Sequence, residues 1–354
     1  MAPSLLLRGW APNLGPGLEL GVARRTGKRL PRLENVTDVF EGSRAAGGPA
    51  MPSGPRVMDA AEWDLVSRVV RQRVRVLEAF LADVYGRCRA FDDGVVPWRL
   101  LCASGEFRRE VAGFAPPDGV RCHVTGIDLI REERGRFRIR EHSVRDPSGV
   151  SDRFAMTGAR HTDQFPSLLL SALRAAAPQG GNDPFIVMLA PGERDAAYAG
   201  NALLARLLGV ELVAGRDLSC RQNRVYTTRG RRPVHVIYRR VGDDWLDPMQ
   251  FRADSALGCP GLVNAARAGN VTIANGIGNG IADESRIYPH IPGLIRYYLG
   301  EEPLPGNAAA RGREKAGERP PPQRPAGLRL LAVNDGRDIR VLSGDVTRER
   351  DGRT

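Results

Sequence analysis

Three stretches of this chain carry residues whose types and spacing could do chemistry. The first is REHSVRDPSGVS, from Arg140 to Ser151. Glu141 ends a predicted strand, where its carboxylate can face a cleft and hold Mg2+, a hard cation that takes oxygen ligands and bridges to substrate phosphates. Arg145 can grip a phosphate or carboxylate through two parallel hydrogen bonds. The turn Pro147-Ser148-Gly149 can aim its backbone amides at an anion. The same residues also read as an exposed charged strand end followed by an ordinary turn.

The second stretch joins Gly215-Arg216-Asp217 to Tyr238-Arg239-Arg240 and the acids Asp243, Asp244 and Asp247. Two arginines at a strand end can bind and orient a carboxylate substrate, and a salt-bridge cluster at a sheet rim has the same composition. The third, Asn270–Asp283, packs Asn275, Asn279, Gly276, Gly278 and Gly280 into a short span. Glycines let backbone approach a ligand closely, but they also fill mobile loops, and the spacing is not that of a P-loop. The turn Pro191–Arg194 follows an apolar run, a place where open α/β sheets bind ligands. The five histidines show no metal-ligand spacing. The five cysteines are far apart and form no C-x-x-C pair, so buried free thiols in a reducing compartment are expected.

Positioning these residues requires a mixed α/β framework. Val66, Val70, Leu77, Phe80, Leu81 and Val84 recur at helical spacing, with Asp59 as N-cap and Gly86 as stop. Alternation in His123–Ile130 and Phe137–Glu141 around Glu132–Gly135 predicts a β-hairpin. A helix is predicted from Phe165 to Ala177. Phe185–Ala190, the helical pattern Asp195–Leu208 and Val210–Val213 predict a Rossmann-like βαβ unit with parallel strands. Ser219–Tyr226 and Val234–Arg240 read as partners across a Thr-Arg-Gly-Arg-Arg turn. A short helix Leu262–Ala268, a strand Val271–Ala274 and a helix Ile291–Leu299 follow. Two strands, Leu328–Val333 and Ile339–Leu342, flank Asn334-Asp335-Gly336.

The chain therefore divides into a leader (1–57), a first folded segment with the Glu141/Arg145 hairpin (58–180), a Rossmann-like and substrate-facing segment (181–305), a Pro/Arg linker (306–327) and a short tail (328–354). The net charge is +11, and Lys28 and Lys315 are the only lysines, so fifty of the 52 basic residues are arginines. The arginines are scattered. Aromatic residues make up 6% and do not interleave with a basic stripe, which argues against nucleic acid as a partner. No apolar run has the length of a membrane span, and no signal peptide is evident; a cytoplasmic location is expected.

GIDLIRE, PSGVS, VELVAGRDL, VIYRRVGDDWLDP, PGLVNAARAGNV, ANGIGNG and YYLGEEP occur in this order between Asp59 and Pro303. With them the chain resembles the circularly permuted ATP-grasp proteins of type 2. The resemblance implies an ATP-grasp architecture of α+β subdomains that clamp ATP. It also implies Mg2+-dependent carboxylate–amine ligase chemistry, in which a carboxylate becomes an acylphosphate that an amine attacks. It places Glu141 and Ser143 as metal ligands, and Arg145, Arg239 and Arg240 on phosphate or substrate carboxylate. Ser148, Gly149, Asn275, Gly278 and Asp283 fall in its cofactor-binding stretches. Ser143 stands where the family usually has Asn, and Ser285 where it tends to have Lys. After Pro303 the Pro/Arg linker replaces a lysine-bearing nucleotide segment. These departures predict an incomplete clamp and weak or absent ATP-dependent turnover. Small-molecule carboxylate and amine substrates are the expected partners. The alternative is a non-catalytic interaction module that pairs with a complete homologue.

Overall fold

A 25-residue helix, Ala60–Val84, is the longest element of the computed structural model, which describes residues 60–131, 136–147, 164–178, 183–307 and 327–347. Its apolar residues recur every three or four positions and are buried on more than one side. Val66, Val69, Val70 and Val74 pack on one sheet with Ile127, Leu129, Ile139, Leu330 and Ala332. Leu77, Phe80 and Leu81 enter a second core with Val187, Leu189, Ile237 and Ile273. Each such fully buried side chain stabilises the fold by up to about 1.5–3 kcal/mol. Asp59, the predicted N-cap, lies outside the described residues.

The first sheet is antiparallel, in the order β11 (Ile339–Thr347), β10 (Gly327–Asn334), β1 (Val124–Arg131), β2 (Phe137–Ser143). The predicted hairpin forms between β1 and β2, its turn residues 132–135 lying outside the described residues. A register shift at Asp128/Leu129 pairs Asp128 with Glu141 and Leu129 with Ile139, so one extra residue bulges from β2 beside the sequence-predicted site. The tail strands do not stand apart: β10 pairs with β1 over six rungs, from Val124↔Val333 to Leu129↔Leu328.

The second sheet is parallel, in the order β4 (Glu211–Val213), β3 (Ile186–Leu189), β8 (Val236–Arg239), β9 (Thr272–Ala274). Helix Tyr198–Leu208 connects β3 to β4 and helix Leu262–Arg267 connects β8 to β9, so two βαβ units share the sheet. All residues of β3 and β8 are buried, as expected of parallel strands covered on both faces. The predicted pairing of Ser219–Tyr226 with Val234–Arg240 forms only in part. β5 (Leu218–Arg221) pairs with β6 (Arg224–Thr227), and only β7 (Pro233–Val234) returns to β6. Val236–Arg239 leaves the meander to become a central parallel strand, because four consecutive buried side chains need cover on both faces.

Candidate functional site

The exit of β2 sets the geometry. Beyond the bulge, Glu141 is exposed and Ser143 and Arg145 are partly open, whereas His142 and Val144 are buried. This period-two alternation turns the three sequence-predicted residues to the side away from the long helix. Inward-facing His142 donates from Nε2 to the carbonyl of Ala282 (2.8 Å), and its Nδ1 lies 3.4 Å from Arg73 Nη1. Burial, then the Arg73 charge, pulls its pKa down to about 3, so it stays neutral and structural.

Asp283 fixes the next two residues. Its carboxylate accepts the backbone N–H groups of Val144 (2.8 Å) and Arg145 (3.1 Å). Burial pushes its pKa up to about 7 even though both amides oppose the shift. The Arg145 guanidinium reaches Glu106 (2.7 Å), which also meets Arg108 (3.6 Å), and Arg108 reaches Asp244 (3.1 Å). The Arg145–Glu106 pair is partly solvated, so it is worth about 0–1 kcal/mol and an incoming anion can take Arg145 at small cost.

Arg240 stands at the carboxyl end of β8. Its backbone N–H donates to Leu189 at the end of β3 (2.7 Å). Its side chain meets Asp146 (2.5 Å), Asn201 Oδ1 (3.2 Å) and the Pro147 carbonyl (3.3 Å). From β3 the chain crosses to β4 on one side, while β8 lies on the other. Arg240 therefore sits at the point where the strand order reverses, a place where open parallel sheets bind ligands. Arg240 and Asp146 tie this crevice to the β2 exit.

Four other predicted residues face protein instead. Arg239, adjacent to Arg240 on an extended strand, points the opposite way. It is fully buried and donates to the carbonyls of Asn275 (2.8 Å), Val241 (2.9 Å) and Gly276 (3.0 Å), beside Asp243 (2.9 Å). The Asn275 amide exchanges two hydrogen bonds with the backbone of Val124 (2.8 and 2.7 Å), joining the two sheets. Gly278 has φ +85°, and a Cβ there would lie 2.3 Å from the Tyr85 hydroxyl. With Asp283 occupied by backbone, these four support the site and do not line it, and the glycine-rich loop is filled by protein. Ser148 and Gly149 lie outside the described residues.

Sequence reasoning missed three supporting residues. Buried Asp128 pairs with Arg329 from β10, Nη2 to Oδ2 at 2.6 Å, on the same sheet face as Glu141. Asn201 and Glu106 also carry no local signal, since they reach the site only through the fold.

The donor set at the β2 exit is compatible with Mg2+. Glu141 makes no hydrogen bond or ion pair among the described residues, and Ser143 offers a second hard oxygen. No group of three or more acidic, His or Cys side chains among the described residues could hold a metal by itself. A cation held by one carboxylate and otherwise by substrate phosphates is the usual mode for Mg2+.

The comparisons agree with this architecture. Residues 55–320 match the family described as "a circularly permuted ATPgrasp". The chain belongs to that circularly permuted ATP-grasp family. An uncharacterised protein of Mycobacterium leprae is 50% identical over 269 residues, covering 72% of this chain and 48% of the relative. An uncharacterised Synechocystis protein is 40% identical over 269 residues, covering 72% and 56%. A Frankia casuarinae protein provisionally named glutamate–cysteine ligase 2-2 is 37% identical over 314 residues, covering 82% and 36%. The chain spans about half the length of the first of these relatives. No helix among the described residues is long and apolar enough to cross a membrane.

Proposed function

We propose that this chain carries the Mg2+- and carboxylate-facing half of an ATP-dependent carboxylate–amine ligase site, with weak turnover of its own. The observation that carries the reading is the open run Glu141, Ser143, Arg145 at the β2 exit, tied through Asp146 to Arg240 at the switch point of the parallel sheet. The family match and the ligase name of the Frankia relative support the reaction class.

Glu141 and Ser143 would hold Mg2+, which when bound offsets negative charge on the phosphates. Arg145, released from Glu106, would grip a phosphate or carboxylate bidentately. Arg240, held by Asp146 and Asn201, would orient the substrate carboxylate at the sheet edge. Asp283, Arg239 and Asn275 keep these groups in place, which is the pre-organisation that electrostatic catalysis requires. Weak turnover follows from the cation supply. Lysines are scarce, only Lys28 and Lys315 in the whole sequence, and Arg145 and Arg240 begin in ion pairs with Glu106 and Asp146.

The same pre-formed ion pairs favour a second reading, an interaction module that keeps the fold and pairs with a complete homologue. ADP release measured with a panel of carboxylic acids and amines separates the two. Slow release that needs both substrates and is lost in Glu141→Ala supports the ligase reading. Release that is absent with every pair, alongside co-purification with a full-length homologue, supports the module.

A further inference from the structure

The fold brings together two thiols that the sequence separates by 39 residues. Cys220 lies on β5 and is partly exposed; Cys259 is buried in the segment before helix Leu262–Arg267. Their sulfurs are 3.5 Å apart. Both backbones are tightly held. Cys259 N–H donates to the Leu246 carbonyl (3.0 Å) and the Cys259 carbonyl accepts from Leu262 N–H (3.2 Å). A Cβ on Gly261 would come within 3.3 Å of Cys220 Cβ, so strand and segment are in close contact, and one on Gly258 would lie 1.9 Å from the Leu246 carbonyl oxygen, which packs the segment against the chain just before Asp247. Asp247 secures the same segment by accepting from Gly261 N–H (3.0 Å) and Val263 N–H (2.9 Å).

We propose that Cys220 and Cys259 form a reversible thiol–disulfide site in the folded chain, with hydroperoxides as the oxidant class. The sulfurs need to close by about 1.5 Å to reach disulfide length, a movement that side-chain rotation can supply. Cys220 is the attacking group, because it is the more accessible. The contact between the two thiols lowers its pKa, while the same contact and burial raise that of Cys259. In the first step the Cys220 thiolate takes the outer oxygen of hydrogen peroxide; the O–O bond breaks and hydroxide leaves, collecting a proton to become water. In the second, Cys259 loses its proton, its sulfur attacks the Cys220 sulfenic acid, the S–O bond breaks and a second water leaves. Two thiols are oxidised and one peroxide is reduced to two waters. The bond would staple the β5–β7 meander to the segment following Asp243 and Asp244 and leave the exposed Cys102 thiol reduced.

The test uses the full chain, a few equivalents of hydrogen peroxide, quenching and thiol counting in denaturant. The count is expected to fall from five to three, a cross-linked peptide joining Cys220 to Cys259 to appear, and dithiothreitol to restore five. In Cys259→Ser the cross-link disappears and dimedone labels Cys220. If that buried substitution fails to fold, Cys220→Ser, at a partly exposed position, is expected to keep all its remaining thiols under the same treatment. Retention of five thiols in the native chain, or oxidation that maps first to Cys102, overturns the proposal.

Discussion

Arg329, on the tail strand β10, closes bidentately on the buried carboxylate of Asp128 in β1, 201 residues earlier in the chain. Asp128 also lies 3.8 Å from Arg140 at the bulge. The pair thus joins the strand after the Pro/Arg linker to the strand beside Glu141. Removing one partner of a buried pair leaves the other charge uncompensated. Arg329→Ala is therefore expected to cost about 3 kcal/mol, read as a lower urea midpoint, and Asp128→Asn in the Arg329→Ala background should recover part of the loss.

Gly278 is held by contacts on both sides. Its carbonyl accepts from Tyr85 Oη (2.9 Å) and its N–H donates to Asp243 Oδ2 (3.1 Å). Gly278→Ala adds a Cβ against the Tyr85 ring at positive φ, so about 2–3 kcal/mol of destabilisation is expected from overpacking and backbone strain. Thermal melting checks this, and Tyr85→Leu should partly relieve the substitution by vacating the space.

Asp283 gives a pH signature of defined sign. Its folded pKa of about 7 lies above the ordinary 3.8, so between those values the folded chain holds a proton that the unfolded chain has released. Stability contributed by this group is present at low pH and falls as pH rises through the window, by at most about 1.4 kcal/mol per unit. Asp283→Asn should remove that slope in pH-dependent melts while lowering stability, since an amide can accept from Val144 or Arg145 but brings an N–H2 donor toward the other.

His142 has the opposite slope. Its folded pKa of about 3 lies below the ordinary 6.5, so stability is lost as pH falls from 6.5 and the unfolded chain takes up the proton. The groups against it are Arg73, Tyr288 and the Ala282 carbonyl, and none favours a second positive charge strongly enough to offset burial. His142→Gln is expected to remove this acid-side loss and leave the Asp283 slope unopposed, so that stability rises toward low pH. From about pH 4 to 6.5 the Asp283 and His142 slopes oppose each other, so the wild-type curve should be flatter than that of either variant.

The long helix and the β1–β2 hairpin were legible because their apolar residues recur at about 3.6 and at two, even though the fold buries the helix on more than one side and β1 on both faces over most of its length. Glu141 was singled out as the end of a predicted strand and Arg145 as a charge beside the Pro-Ser-Gly turn, whereas the burial of His142 and Val144 between them appears only in the fold. Arg239 and Arg240 were not separable: neighbours on a strand face opposite ways, and only the sheet decides which is enclosed. The same blindness put Val236–Arg239 in a hairpin, since a short apolar run fits an antiparallel meander or a parallel core equally well. Asn275 and Gly278 suggested ligand contact by type alone, whereas the fold gives them to Val124 and Tyr85. Asn201, Glu106 and the Cys220–Cys259 contact depend on long-range packing and left no mark in local spacing.

Calorimetric titration of Mg·ATP into the wild-type chain and into Glu141→Ala tests the assignment of the β2 exit most directly. Weak binding is expected that depends on Mg2+ and falls at least about tenfold in the variant, a loss of about 1.4 kcal/mol. Binding that is indifferent to Mg2+, or equal affinity in the two proteins, would contradict it.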